Sequence, residues 1–216
     1  MKTKAIVMAA MVAAGMASAQ SAGTPGTFRM PAHDAWMKET EFAGEFVFRA
    51  PGLGDFDVFD MAYGVDLTYR HWFTDILGAG VGLGVETWTV QNRSRNWVGA
   101  LDGDMLVIPL TVTGYLRIAE LGWGTLIGFA GAQYAFSDSD ITMTRDGESR
   151  TVDVDGSFVG RIGAELSMPL GGEVALGFRV GYQASLMGGD AEAFGDTNME
   201  VDLEAVFFGL GLSVAF

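Results

Sequence analysis

The chain ends in Met199–Phe216, M-E-V-D-L-E-A-V-F-F-G-L-G-L-S-V-A-F, and the periodicity of this stretch decides the fold. Counting back by twos gives Phe216, Val214, Leu212, Leu210, Phe208 and Val206, all large and apolar. The other parity gives Ala215, Ser213, Gly211, Gly209, Phe207 and Ala205, mostly small. A repeat of two is that of a strand, with one greasy face and one lean face. In a soluble sandwich the greasy face would meet a second sheet. Here the same pattern recurs strand after strand and no other part of the chain can cover it, so the greasy face is read as facing lipid.

Composition narrows the classes. The 216 residues allow one domain of ordinary size and contain no Cys, which excludes disulfides, thiolate catalysis and Cys-ligated metals. The formal charge is −14 while the mean hydropathy is positive, a pairing that argues against disorder. Thirty-one glycines and 12% aromatic residues suit many short strands joined by tight turns. The acidity opposes nucleic-acid binding through a basic patch. Lys2 and Lys4, the apolar run Ala5–Met16 and Ala17-Ser18-Ala19 together make a secretory signal over residues 1–19. Its removal takes 13 basic residues to 11 against 27 acidic ones, so −14 becomes −16. Residues 20–40, with Pro25 and Pro31 and no clear period, read as a periplasmic tail or a short plug, and His33-Asp34 within it as a solvated pair. No later stretch is apolar enough for a spanning helix. An exported chain of amphipathic strands then has one membrane solution, a closed barrel over residues 41–216.

Going upstream, alternation marks eight strands. Phe42, Phe46 and Phe48 point out of the first, and Glu45, Val47 and Arg49 point in. In the second, Met61–Tyr69 alternate outward against Ala62, Gly64, Asp66, Thr68 and Arg70. In the third, Leu77–Val85 alternate against Gly78, Gly80, Gly82 and Gly84. That G-x-G-x-G run lacks the strand-then-helix setting of a nucleotide loop, and its period of two instead leaves lumen space for bulky side chains on neighbouring strands. Four further strands follow near residues 105–118, 123–136, 156–168 and 173–187 before the closing one. Long polar connections at 51–60, 91–104, 137–155 and 188–198 alternate with short ones at Thr74-Asp75-Ile76, Glu120-Leu121-Gly122 and Pro169–Gly172. Short periplasmic turns and long outer loops are the asymmetry of bacterial barrels. Outward aromatics gather near the strand ends, with Phe48, Tyr63, Tyr134, Phe136 and Phe158 toward the long loops and Tyr69 and Phe216 toward the short turns, as two girdles would.

The expected fold is therefore all-β, an eight-stranded antiparallel transmembrane barrel in an up-and-down meander. Nearly all of Glu41–Phe216 resembles the small eight-stranded outer-membrane proteins of the outer membrane protein A and outer membrane protein X type. The resemblance implies a bacterial outer-membrane location with lipid as the surrounding partner. It also implies that Phe208, Leu210, Leu212, Val214 and Phe216 form the closing strand read by the barrel insertion machinery.

Inward parity collects Glu45, Arg49, Asp66, Arg70, Glu86, Arg117, Arg161, Glu165 and Arg179, together with Glu173. An eight-stranded barrel is only wide enough for side chains to fill, and buried charges must pair. These residues are therefore read as a lumen charge network that plugs the barrel. If the second and third strands join through Thr74-Asp75-Ile76, Arg70 faces Gly80 and Asp66 faces Gly84. Glu45 and Glu86 are then the nearest partners for Arg70, with Glu165 a more distant one.

The acidic loops, with Asp138, Asp140, Asp146, Glu148, Asp153 and Asp155 in one and Asp190, Glu192, Asp196 and Glu200 in the next, could hold divalent cations weakly. Asp153-Val154-Asp155-Gly156 fails as an EF-hand, since Thr151 and Ile162 occupy ligand positions. The barrel's one histidine, His71, falls at the short-turn end, the wrong end for acting on outer-leaflet lipid. No phosphate loop, nucleophile elbow or metal cluster is visible, so no catalytic, cofactor or metal residue is assigned. The leading functional reading is a structural or surface-interaction protein presenting four outer loops, and not an enzyme. A narrow porin-like channel is the alternative, and an outer-membrane lipid-modifying enzyme the third reading. At the tip of the longest loop, faces of equal parity on both sides call for an odd loop such as Asp146-Gly147-Glu148, or for a bulge.

Overall fold

The computed structural model describes residues 40–51, 59–90, 100–145, 147–193 and 196–216. The expected signal and residues 20–39 of the tail lie outside the described residues, as do 52–58 and 91–99 of the outer loops. Among the described residues the strands are β1 (Thr40–Pro51), β2 (Phe59–Trp72), β3 (Leu77–Val90), β4 (Ala100–Asp102), β5 (Asp104–Glu120), β6 (Thr125–Ser139), β7 (Thr142–Arg145), β8 (Glu148–Thr151), β9 (Asp153–Val154), β10 (Ser157–Gly171), β11 (Val174–Met187), β12 (Gly189–Ala193), β13 (Asp196–Val201) and β14 (Ala205–Ala215). Eight of them close into a barrel in the order β1-β14-β11-β10-β6-β5-β3-β2, every neighbouring pair antiparallel. The meander inferred from alternation is the one observed.

Closure joins the first strand to the last. Phe46 lies opposite Leu210 and Phe42 opposite Val214. The Phe216 amide donates to the Thr40 carbonyl at 3.0 Å and the Ala215 amide to Glu173 at 2.9 Å, so the chain end is held from both sides. The Phe216 ring stacks on Phe42 at 5.8 Å, and Phe42 meets Tyr69 edge-on at 5.2 Å, forming part of the inner aromatic girdle. Tyr134 and Phe136, 4.7 Å apart, belong to the outer one. Thr40 is already in β1, so the strand claims the last residue assigned to the tail.

Alternation of burial follows the expected faces. Phe208, Leu210, Leu212, Val214 and Phe216 are exposed, while Phe207, Gly209 and Ala215 are buried. Exposure of this many large apolar side chains would be prohibitive in water and is what hydrocarbon requires. The short turns are tight. Thr74 Oγ accepts from the Leu77 amide at 2.9 Å, and Gly122 turns at φ +75° where a side chain would be strained.

Where they are described, the last three long loops are not the irregular connections their sequences suggest. They contain β4, β7 and β8 in one three-stranded sheet and β9, β12 and β13 in another. Met199–Val201, read as the start of the closing strand, belongs to the second of these, and the barrel strand begins only at Ala205. The tip of the longest loop does not use three residues: Arg145 pairs with Glu148, leaving two between the strands. The resulting change of face is absorbed lower down. From Ala135↔Ser157 to the Val152 amide's bond with the Ile141 carbonyl, one side advances six residues and the other five, an irregularity of the bulge kind.

Polarity inverts along the strands. In β3, Val81, Leu83 and Val85 face outward against glycines, but beyond Glu86 it is Trp88 and Val90 that are buried, with Thr87 and Thr89 outside. Lipid demands apolar residues outside and water demands them inside, so the inversion marks where the strands leave the bilayer. Inward residues of β2, β3, β5, β6, β10 and β14 (among them Phe59, Trp88, Met105, Ala135, Val159 and Ala205) form one cluster with Leu101, Ile141, Met143, Val152 and Val154 from the outer segments and Leu203 from the link into β14. This is a dry cap of water-soluble type set on a membrane barrel.

Candidate functional site in the lumen and outer cap

Below the cap the lumen is built on a spine of rings. Trp72, Tyr115, Phe129 and Phe207 follow one another at centroid distances of 6.3, 6.4 and 6.0 Å. Inward glycines make the room. A Cβ at Gly163 would lie 2.6 Å from Phe129 Cζ, and one at Gly181 would lie 2.5 Å from Phe207 Cζ. Of the glycines expected to make such room in β3, Gly78 gives it to Trp72, 2.8 Å from where a Cβ would lie, and Gly80 to Tyr115, at 3.2 Å, while Gly82 and Gly84 give space to Thr111 and Asp66. Arg70 lies over Tyr115 at 4.0 Å, Arg161 over Phe207 at 4.7 Å and Arg179 over Phe129 at 5.2 Å, contacts that strengthen when desolvated.

Carboxylates complete two lattices. Toward the short-turn end, Arg70 Nη1 donates to Glu41 Oε2 at 3.2 Å and Nη2 to Glu165 Oε2 at 2.7 Å. Arg179 Nη2 donates to the same Glu165 oxygen at 2.8 Å and its Nη1 to Glu45 Oε1. Toward the outer end, Arg49 grips Glu86 with two donors, Nε at 2.6 Å and Nη2, and gives Nη1 to Gln183. Trp88 Nε1 adds a bond to Glu86 at 3.1 Å, and Gln183 donates to the Leu203 carbonyl at 2.7 Å, so this lattice is tied into the cap. Asp66 stands between, 4.0 Å from Arg49 and 3.9 Å from Arg161. Buried charges are tolerated where they are paired and hydrogen-bonded, as Arg49, Arg70, Arg179, Glu45, Glu86 and Glu165 are, whereas Asp66 Oδ1 and Arg161 Nε and Nη2 are buried without a hydrogen bond.

The register is as expected, with Arg70 opposite Gly80 and Asp66 opposite Gly84. Of the three partners expected for Arg70, Glu165 meets it at 2.7 Å and Glu45 and Glu86 do not. Glu45 lies opposite Asp66, four residues along β2, and Glu86 opposite Gly64, six residues along. At about 3.3 Å per residue both are out of reach of a guanidinium. Glu41 lies directly opposite Arg70, and Glu165 reaches it across the lumen. Arg117 also departs from the lattice. Half-buried at the short-turn mouth, it lies 3.7 Å over Trp72 and donates to the Asp75 carbonyl at 2.9 Å. Glu173 is exposed at a turn, and Glu41 takes the fifth acidic place. Among the described residues, five acids (Glu41, Glu45, Asp66, Glu86, Glu165) thus meet four arginines (Arg49, Arg70, Arg161, Arg179), and Arg117 at the mouth brings the formal charges into balance. Glu41 shares the inward parity of Glu45, a signal sufficient to have found it; Gln183 carried no such signal beyond being inward and polar. His71 lies at the short-turn end, 3.3 Å from Thr40 Oγ and edge-on to Phe73. Among the described residues no cluster of three His, Cys, Asp or Glu side chains could hold a metal ion. Of the loop acids, Asp146 lies outside the described residues.

Solved structures with the same architecture can now be set beside this one. The outer membrane protein OprG of Pseudomonas aeruginosa aligns with a TM-score of 0.58 at 13% identity, over 83% of this chain and 97% of that one. Outer membrane protein W of E. coli aligns at 0.52 and 15% identity, over 86% and 100%. A major outer membrane protein of Thermus thermophilus aligns at 0.52 and 15%, over 82% and 99%. No family model and no curated protein matches the sequence. At these identities the likeness is one of fold, and the fold is that of the small eight-stranded bacterial outer-membrane β-barrels.

Proposed function

We propose that the protein is a closed outer-membrane barrel with a structural or surface-interaction role, its lumen filled and its outer sheets held as a rigid display. One observation carries the reading: the lumen is stoppered twice, by ion-pair lattices threaded on an aromatic spine and by the apolar cap above them. A conducting pore needs a continuous wet path, and a barrel of eight strands has width only for its own side chains. The closing strand, with Phe216 at its end, is the segment the insertion machinery would engage, and the acidic outer rim is where divalent cations would bind weakly. Planar-bilayer recording on the refolded chain tests the reading. No steady current is expected, and a large stable current would overturn it.

A second reading, a narrow channel, has a specific observation in its favour. Asp66 is shared by two arginines without closely meeting either, so the junction between the lattices has slack for re-pairing. Brief, voltage-dependent openings in the same recording would support it.

A further inference from the structure

The lipid-facing wall is not uniformly convex. Where β1, β14, β11, β10 and β6 run side by side it carries a groove of about 400 Å³. Registered positions form its two sides. Phe46, Leu210, Phe178, Leu166 and Leu126 make one cross-strand row, and Phe48, Phe208, Val180 and Ala164 the next. The phenylalanines and Leu210 stand proud and exposed, while Ala164, the smallest outward side chain among them, lies low between Leu166 and Val180. The groove sits at mid-height, between the inner girdle at Phe42, Tyr69 and Phe216 and the Tyr182–Glu204 contact at the outer end. It is therefore continuous with the hydrocarbon interface of the barrel.

We propose that this groove is a binding site for a single lipid hydrocarbon chain, held longer than the lipids around it. Its volume falls within the range of small-molecule pockets, roughly 300–1,000 Å³, and its outward side chains are all apolar. A flexible chain can lie down to the Ala164 floor between the phenylalanine walls. A second copy of the barrel is itself convex and would touch the walls without reaching the floor. None of the outward side chains of the groove is cationic, so recognition rests on the chain and not on a phosphate headgroup, and occupancy should follow chain length and ignore headgroup charge.

Electron spin resonance of the protein reconstituted in phosphatidylcholine vesicles with a chain-labelled phosphatidylcholine tests this directly. The wild-type protein should show a strongly immobilised component equivalent to about one lipid per barrel beyond the annular fraction. A phosphatidylglycerol label should give the same component. Ala164→Phe fills the floor from the lipid side and should abolish it. Val81→Phe, also outward but on β3, across the barrel from β11 at the middle of the groove, should leave it intact and report that an added ring alone is without effect. Heat-modifiable gel mobility verifies that each variant is folded, and Leu166→Phe serves as a second filler if Ala164→Phe fails that check. No immobilised component in wild type, or one unchanged by both fillers, overturns the site. Loss of a cross-linkable dimer in the fillers, in place of loss of bound lipid, assigns the groove to a second copy and equally overturns the proposal.

Discussion

At the scale of single residues, the lumen is a problem in volume before it is one in charge. Each ring of the spine occupies space that a neighbouring strand gives up by having no side chain. Gly181 is the tightest case, since a Cβ there would press on Phe207, whose ring also sits under Arg49 and Arg161. Gly181→Ala should cost about 1–3 kcal/mol, the usual penalty for overpacking an ordered interior, read as a lower urea midpoint for unfolding from lipid vesicles. Gly147→Ala at the outer loop tip, where nothing lies near the added atom, tests only backbone strain and should cost less. Charge comes second. Arg70→Ala would leave Glu41 and Glu165 without a shared guanidinium in a nearly dry place, a loss of about 3–5 kcal/mol for a broken buried pair. Arg117→Ala removes a half-exposed contact and should cost no more than about 2 kcal/mol. Equal effects of the two arginines on the thermal midpoint would place the weight of the network elsewhere.

At the scale of elements, the closing strand shows why some features can be read from residue order and others cannot. Strict alternation from Val206 to Phe216 specifies both faces, because a one-residue slip would turn Phe208 and Leu210 into a lumen that has no room for them. The same logic located all eight barrel strands and the Arg70–Gly80 register. It did not locate β9, β12 or the sheet containing β7. Those strands are two to five residues long and polar on their outer sides. β9 pairs with β12 across the β10–β11 hairpin, a partnership no local period announces. Nor did it name Glu41 as a partner of Arg70 or rank Glu165 above Glu45 and Glu86, which depends on where a side chain lands after crossing the lumen. The alternation of β14 ends at Phe216, whose amide and ring both engage β1, through Thr40 and Phe42. Deleting Phe216 should lower the fraction of chains that reach the heat-modifiable form, both in cells and in unassisted refolding into vesicles. A defect confined to cells would assign Phe216 to recognition by the insertion machinery and not to closure.

At the scale of the whole molecule, the proposed closed barrel has two seals of different chemistry in series. On that proposal the apolar cap would exclude ions by offering them no polar path, and the lattices would exclude them by filling the bore with paired side chains. Either would suffice, so neither should open the barrel when weakened alone. Replacing Thr142–Thr151 with Gly-Gly takes Met143 out of the cap and leaves the barrel strands untouched, in a region where chain loss is well tolerated. Replacing Arg70 and Glu165 together with alanine removes the central link of the inner lattice as a pair. No lone partner of that bond is stranded, Glu41 keeps its 2.9 Å bond from Trp72, and Arg179 keeps Glu45. We expect no steady current from the wild type or from either variant, and an ion current from the combined variant, with all four proteins folded by gel mobility. Current from the cap variant alone would mean that the lattices leak and the narrow-channel reading is correct. Continued silence of the combined variant would mean that the aromatic spine, held from β2, β5, β6 and β14 at once, closes the bore without help from the charges.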